Sequence, residues 1–122
     1  MKQDSPEPNR VRDYRRGQAA EMFAAAYLIL KGHRILALRY KTPLGEIDLI
    51  TLKKHRVGFV EVKYRPALQD CQSAVNSKLR QRVRSASNLW LARNPHYQQH
   101  DMGFDLVFVV PWSAPAWFKD AL

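Results

Sequence analysis

Two short apolar segments, Gly45–Ile50 and Phe59–Lys63, carry acidic side chains among residues that favour β-strands. Within residues 14–69 the chain has four carboxylates, and three of them lie in these two segments. Those three are Glu46, Asp48 and Glu61. Charged side chains are rarely buried unless they are paired or bind a metal. Acids concentrated in one place on a basic chain therefore favour a divalent-metal site that faces a polyanion.

The length and charge of the chain limit its class. With 122 residues, 46% of them hydrophobic, it can form one globular domain with a modest core. Its net charge of +9 favours nucleic acid as a partner, although a soluble protein that is merely basic is the alternative. We expect a flexible tail over residues 1–13 and a single domain over residues 14–122.

The composition also excludes several kinds of site. Cys71 is the only cysteine, which excludes an intramolecular disulfide and a cysteine-rich zinc site. No segment approaches the roughly 20 apolar residues of a membrane span, and the N-terminus lacks the apolar region of a signal peptide. We therefore expect no membrane partner and a cytoplasmic location.

Hydrophobic periodicity predicts two helices and four strands in the order α-β-β-β-α-β, which indicates an α/β fold with a mixed β-sheet flanked by helices. The expected elements are a helix over Gly17–Lys31, strands over His33–Tyr40, Glu46–Leu52 and Val57–Lys63, a helix over Lys78–Arg93, and a central strand over Phe104–Val110. A loop is expected over residues 41–45, and a polar linker runs up to about Ser77. The C-terminal aromatic residues should pack on the domain or on another subunit, because an exposed aromatic patch favours aggregation. They are Trp112, Trp117 and Phe118.

The polar connection between the second and third strands predicts a hairpin. A loop of two residues at 54–55, or of four residues at 53–56, gives the same register, in which the numbers of paired residues sum to 109. In that register Asp48 lies opposite Glu61, with their Cβ atoms about 5 Å apart. A loop of three or five residues would break this pairing, so the predicted geometry depends on the loop length.

Two carboxylates that face each other repel unless a proton or a cation lies between them. Mg²⁺ or Mn²⁺, which prefers oxygen ligands, would relieve this repulsion between Asp48 and Glu61. Alternation along the strand also places Glu46 on the face of Asp48 and opposite Lys63. The alternative is an ordinary solvated sheet face, on which Glu46 and Lys63 form a cross-strand ion pair.

Taken together, these residues resemble known nucleases. Gly45-Glu46-Ile47-Asp48, ten to fifteen residues ahead of Glu61-Val62-Lys63, is similar to the D…(D/E)xK motif of the PD-(D/E)xK nuclease superfamily. Glu21 on the preceding helix resembles the accessory acid of archaeal Holliday-junction resolvases. Over about residues 16–110 the chain resembles more closely the YraN-like family of small bacterial endonuclease-like proteins. The segments that carry this resemblance are Arg16-Gly17 with Ala20-Glu21, Gly45–Ile50, Phe59–Arg65 and Phe104–Val107.

The resemblance implies a restriction-endonuclease-like fold and a metal-dependent catalytic site. Asp48 and Glu61 would bind Mg²⁺ or Mn²⁺ directly, and Glu21 would complete or support the site. The metal would polarise the phosphate, while Lys63 would position the attacking water and offset phosphate charge. Glu46 has three alternative roles: a further metal ligand, an acid that holds a water molecule, or only the partner of Lys63.

The second helix predicts the surface that binds nucleic acid. No acidic residue occurs between Cys71 and His100. The basic residues of the helix recur at i,i+4 spacing, which stacks like charges and suits a phosphate backbone. A solvated helix face is the alternative. The expected nucleic-acid-binding residues are Lys78, Arg80, Arg82 and Arg84, with Arg65 and Arg16 outside the helix.

Three functions are open on this basis. The first is a metal-dependent endonuclease that hydrolyses DNA phosphodiester bonds, with branched or single-stranded DNA in repair or recombination as candidate substrates. The second is a nucleic-acid-binding module that keeps the nuclease fold with little or no catalysis. The third is a protein-interaction domain that uses the aromatic C-terminus. The intact set of Glu21, Asp48, Glu61 and Lys63 favours the first. A homodimer would suit cleavage of two strands, but nothing in the sequence encodes one, and DNA is not distinguished from RNA.

Overall fold

In the computed structural model the backbone is described for residues 8–65 and 75–122, and the side chains for residues 17–65 and 75–122. These parts of the chain form two α-helices, one 3₁₀ helix and five strands. In chain order they are α1 (Pro8–Leu30), β1 (Arg34–Thr42), β2 (Gly45–Lys53), β3 (Arg56–Tyr64), α2 (Ser77–Arg93), the 3₁₀ helix (Pro95–Tyr97), β4 (Asp101–Val109) and β5 (Ala116–Phe118). The predicted order is confirmed, and β5 is an additional strand.

The five strands form one mixed sheet in the order β1-β2-β3-β4-β5. β2 is antiparallel to both β1 and β3, whereas β3 and β4 are parallel. A parallel pair needs a long connection between its strands, and here that connection contains α2. β4 lies inside the sheet, as predicted for the apolar strand near the C-terminus, but β3 is the middle strand.

The hairpin between β2 and β3 has a two-residue loop at positions 54–55. Lys54 adopts a left-handed conformation with φ of 55°, as a tight hairpin turn requires. The paired residues run from Lys53–Arg56 to Leu49–Val60, and their numbers sum to 109 throughout, so the predicted register is confirmed. The pairing stops at Leu49–Val60, and Asp48 and Glu61 therefore lie just beyond the end of the ladder.

β1 departs from regular strand geometry at Arg39, whose φ of 50° lies in the left-handed region. The residues on either side of it pair as Leu38–Leu49 and Tyr40–Ile47. Arg39 therefore lies across from Asp48 in the register of β1 and β2.

The opposite stretch of β2 is irregular as well. Ile47 and Ile50 both pack against α2, although residues three apart in a regular strand face opposite sides of the sheet. The alternation that predicted a shared face for Glu46 and Asp48 is broken here. Glu46 is exposed, whereas Asp48 is buried.

The helices cover opposite faces of the sheet and enclose two apolar clusters. α1 packs through a stripe of small side chains onto Leu49, Val60 and residues of β4. α2 packs onto the other face, where Trp90 meets the ring of Phe59 edge-on with the ring centroids 5.9 Å apart. Phe59 and Val60 are neighbours in β3 and belong to different clusters, as strand alternation requires. The strands that carry Asp48 and Glu61 are thus held between both helices.

Two predicted boundaries are wrong. α1 begins at Pro8 instead of Gly17, so it includes residues that were expected to belong to a flexible tail over 1–13. Proline suits the first position of a helix, where its missing N–H is not needed. The loop expected at 41–45 is shorter, because Thr42 Oγ1 accepts the backbone N–H groups of residues 44 and 45, each at 3.1 Å, and closes a tight turn. Residues 66–74 of the expected linker lie outside the described residues.

The aromatic C-terminal segment packs only in part. Trp117 lies edge-on to the buried ring of His33 at 5.1 Å between centroids, and Phe118 contacts Phe108 at 5.7 Å. Trp112 is fully exposed and does not pack on this domain, which leaves the alternative of packing on another subunit as a prediction. Within the described parts of the chain, neither helix combines the length and the apolar character that crossing a membrane demands.

Candidate active site

Asp48 lies at the point where β2 and β3 stop pairing. Its Oδ2 accepts a hydrogen bond of 2.8 Å from the backbone N–H of Val62. The carboxylate thus takes the place that a carbonyl of β2 would occupy if the ladder continued past Leu49–Val60. This bond holds the side chain of Asp48 against β3, beside Glu61.

Asp48 and Glu61 form a buried pair of carboxyl groups, with 9% and 8% of their residue surfaces exposed. Burial raises the pKa of Asp48 to about 8, the nearby charge of Glu61 adds to the increase, and the Val62 N–H opposes it. Burial also raises the pKa of Glu61, against the effects of its contacts with Asp48 and Lys63. Near neutral pH the pair therefore retains a proton, although both groups would be ionised in water.

The two oxygens of Glu61 have different surroundings. Oε2 lies 3.4 Å from Nζ of Lys63, which forms an ion pair along the same strand. Oε1 is buried and finds no hydrogen-bond partner among the side chains that the structure describes, those of residues 17–65 and 75–122. A buried acceptor without a partner is costly, so this oxygen is suited to receive a ligand.

Glu46 is not part of this buried pair. In the strand register Glu46 lies opposite Lys41 of β1, and Lys63 forms its ion pair with Glu61. The predicted pairing of Glu46 with Lys63 is therefore not formed. The reason is that the strands part after Leu49–Val60. Glu46 is still near enough for its charge to raise the pKa of Glu61.

Glu21 reaches the site from α1 but is bound to another residue. Its Oε1 accepts a hydrogen bond of 2.6 Å from Nε of Arg39, with 18% of the Glu21 side chain and 39% of the Arg39 side chain exposed. The charge of Glu21 makes a small contribution to the raised pKa of Asp48. Sequence reasoning treated Arg39 only as one of many basic residues; its left-handed backbone had no signal in the sequence.

The donor atoms can be tested against a metal ion. Within residues 17–65 and 75–122, no set of three or more His, Cys, Asp or Glu side chains forms a group that could hold one. The Asp48–Glu61 pair alone has suitable chemistry, because it offers hard oxygen donors, a buried oxygen without a partner and a repulsion that a cation relieves. Mg²⁺ is commonly bound by one or two carboxylates and keeps several water ligands. The pair fits such an ion, and Glu21 is outside it because Arg39 holds it.

The basic helix α2 packs on the start of β2, at Gly45. A Cβ atom at Gly45 would overlap the backbone carbonyl of Arg82, so the start of β2 is packed directly on α2. Arg84 stacks over the ring of Phe104 at 4.5 Å and donates to the carbonyl of Leu122 at 3.5 Å. The predicted residues Lys78, Arg80, Arg82 and Arg84 are all exposed.

Of the two predicted basic residues outside α2, the structure describes the side chain of one. Arg65 follows β3, is partly buried, and donates to the carbonyl of Tyr64 at 2.8 Å. Arg16 lies in α1, but its side chain is outside the described residues.

A second charged cluster, at the other end of β3, was missed. Asp105 is fully buried, and both its oxygens accept hydrogen bonds from the guanidinium of Arg56, at 2.9 and 2.8 Å. Asp120 adds a second carboxylate to Arg56 at 2.8 Å. Gly103 leaves the space for this guanidinium, since a Cβ there would overlap it. The available signal was Asp105 itself, a lone acid within the apolar segment Phe104–Val109.

The fold and the position of the paired acids define a restriction-endonuclease-like architecture. The structure of Hjc from Archaeoglobus fulgidus, a Holliday junction resolvase from an archaeal hyperthermophile, is similar with a TM-score of 0.53 at 13% sequence identity. The superposition covers 81% of this chain and 72% of that chain, and it confirms the predicted fold class.

The chain belongs to the family described as "Uncharacterised protein family UPF0102", whose model matches residues 20–109. This confirms the resemblance to YraN-like proteins. A UPF0102 protein of Rhizobium meliloti (strain 1021) is 42% identical over 121 residues, which are 99% of each chain. One of Agrobacterium fabrum (strain C58 / ATCC 33970) is 46% identical over 121 residues, again 99% of each chain.

Proposed function

We propose that the protein is an endonuclease that hydrolyses phosphodiester bonds of DNA and depends on Mg²⁺ or Mn²⁺. The observation that carries this proposal is the buried Asp48–Glu61 pair, which has an acceptor without a partner and lies beside the ammonium group of Lys63. Two buried carboxyls with raised pKa values destabilise the folded chain unless a ligand compensates them. Such an arrangement is typical of a functional site.

Each residue of the site has a role that follows from its contacts. Asp48 and Glu61 would supply the oxygen ligands, and the Val62 N–H keeps Asp48 in place. The bound metal would polarise the phosphate and lower the pKa of a water molecule. Lys63, within reach of Glu61, would orient the attacking water and balance the charge that develops on the phosphate.

The substrate class follows from the basic surface. The exposed cations of α2 offer charges to a phosphate backbone, and we recognise no element that reads base edges in residues 8–65 and 75–122, which supports recognition of backbone and shape. Branched DNA is the first substrate to test, because the similar archaeal structure is described as a Holliday junction resolvase. Single-stranded DNA is the second.

The experiment that tests this proposal is titration calorimetry of Mn²⁺, followed by cleavage assays. The wild type should bind Mn²⁺ saturably, and the Asp48→Ala, Glu61→Ala double variant should not. Asp101→Ala, which removes an exposed acid at the start of β4, is the matched control and should bind like the wild type. Cleavage of a four-way junction or of single-stranded DNA should require the metal and the intact pair. An absence of Mn²⁺ binding to the wild type, with or without DNA, would refute the proposal.

A second candidate is a nucleic-acid-binding module without catalysis. The ion pair between Glu21 and Arg39 favours it, because among the described side chains that pair leaves two carboxylates together. This candidate predicts salt-dependent DNA binding with no cleavage at saturating Mn²⁺, whereas turnover of any DNA substrate would eliminate it. Because Trp112 is fully exposed, a protein partner or a homodimer stays a prediction. The cytoplasmic location stays a prediction as well.

A further inference from the structure

We propose that Arg39 is a positioning residue that holds Glu21 away from the Asp48–Glu61 pair and releases it when a divalent cation binds. The inference rests on the proposed function, since it assigns a second state to the same site. It accounts for the geometry in which Arg39, across from Asp48 in the register, binds Glu21 outside the buried pair.

The backbone of β1 aims Arg39 at Glu21. A residue inside a strand normally has an extended backbone, but Arg39 has a φ of 50°, which costs about 1–3 kcal/mol for a residue other than glycine. The distortion falls at the position across from Asp48 in the register. It brings the guanidinium to α1, where Nε donates to Glu21 at 2.6 Å.

The charges explain why this contact exists without a cation. Glu21 already raises the pKa of Asp48 from its position on α1. If it moved into the pair, a third carboxyl group would add to a repulsion that burial has made strong. Arg39 offers Glu21 an opposite charge nearby, so the third acid stays out.

A divalent cation reverses this balance. Its two positive charges balance those of the ionised Asp48 and Glu61, so the repulsion that keeps Glu21 out disappears, and the ion can still take further oxygen ligands. Glu21 and Arg39 are both partly exposed, so they can separate without opening the core. Arg39, which lies across from Asp48 in the register, has a planar guanidinium fork that can bind two phosphate oxygens once Glu21 has left it. The cation would thereby prepare the site for DNA.

Mn²⁺ calorimetry in the absence of DNA tests the inference. Arg39→Asn is the main variant, because asparagine tolerates a left-handed backbone. It should bind Mn²⁺ about 2–5-fold more tightly than the wild type, as the loss of a partly exposed ion pair predicts. Arg39→Lys keeps the charge and should bind like the wild type. Arg34→Asn removes the same charge from the other end of β1 and is the matched control.

The variant Glu21→Gln separates the mechanism from a general effect of charge. In that background Arg39→Asn should give no gain in affinity for Mn²⁺. An equal gain there, an equal gain in Arg34→Asn, or an unchanged affinity in Arg39→Asn alone would each overturn the role of Arg39. If the wild type binds Mn²⁺ through Asp48 and Glu61 in those cases, the proposed function survives. If the wild type binds no Mn²⁺, both fail.

The affinity for DNA gives a second readout. Ca²⁺ can occupy oxygen sites of this kind, and its addition should tighten binding of a four-way junction to the wild type more than to Arg39→Asn. Equal tightening in both proteins would overturn the step in which Arg39 is released to the phosphate.

Discussion

Replacing Asp48 by asparagine should stabilise the metal-free protein at neutral pH. The amide of asparagine keeps an oxygen that can accept the Val62 N–H, and it removes the group whose ionisation the fold opposes. In the wild type, the folded state holds the proton of Asp48 up to about pH 8, whereas the unfolded chain releases it near 3.8. Stability is therefore lost as the pH rises between these values, and the variant should not lose it.

The magnitude follows from the two pKa values. Each unit of pKa difference corresponds to about 1.4 kcal/mol, so the cost grows by that amount per pH unit above 3.8 and levels off near pH 8. At pH 7 it reaches about 4 kcal/mol, and relaxation of the protein and entry of water reduce it. We expect the variant to exceed the wild type by about 2–4 kcal/mol at pH 7 and by almost nothing at pH 4.

Urea unfolding at a series of pH values, with a chelator present, measures this difference. Asp101→Asn removes an exposed carboxylate as a control and should change the free energy of unfolding by less than about 0.5 kcal/mol. Saturating Mn²⁺ should then stabilise the wild type but not Asp48→Asn. A stability difference that is independent of pH, or a destabilised variant, would refute the assignment of Asp48 as the proton-holding member of the pair.

Three further predictions concern other parts of the site. Lys63→Ala should abolish cleavage while Mn²⁺ and DNA binding stay near wild type; a parallel loss of DNA affinity would argue against a catalytic role. Lys78→Gln combined with Arg82→Gln should reduce the slope of log DNA affinity against log salt by about 1–2, because roughly one counterion fewer is released for each phosphate contact that is lost. The control Lys119→Gln should leave the slope unchanged. Gly45→Ala should destabilise the fold by about 1–3 kcal/mol, because its Cβ would meet the Arg82 backbone; a wild-type melting temperature would show that α2 can shift freely.

The strand pairing was predictable because the relevant information is local. An even loop between two alternating strands admits one register, and Leu49–Val60 confirms it. The second helix was predicted to start at Lys78 and starts at Ser77, since Asn76 caps it by accepting the N–H of residue 79 at 2.9 Å.

The features that escaped prediction depend on tertiary contacts. The pairing of β2 with β3 ends at Leu49–Val60, and beyond this point Asp48 accepts the backbone N–H of Val62. Where the pairing ends depends on how β1, β2 and β3 pack together. The left-handed conformation of Arg39 has no local sequence preference, and its contact with Glu21 joins residues 18 positions apart in the chain. The Arg56–Asp105 pair joins residues far apart in the chain, and no pattern of period two or 3.6 encodes it.

The parallel pairing of β3 with β4 has a consequence for the order of folding. β1, β2 and β3 are joined by tight turns, whereas β4 can pair only after the whole segment from Tyr64 to Asp101 has closed as a loop. Closing a long loop costs entropy before any contact compensates it, so non-local pairing is slow. Kinetic φ-values should be high in the β2–β3 hairpin and low in β4, and the opposite pattern would contradict this order. The two acids would then meet early in folding, before α2 has brought its positive charge to the sheet.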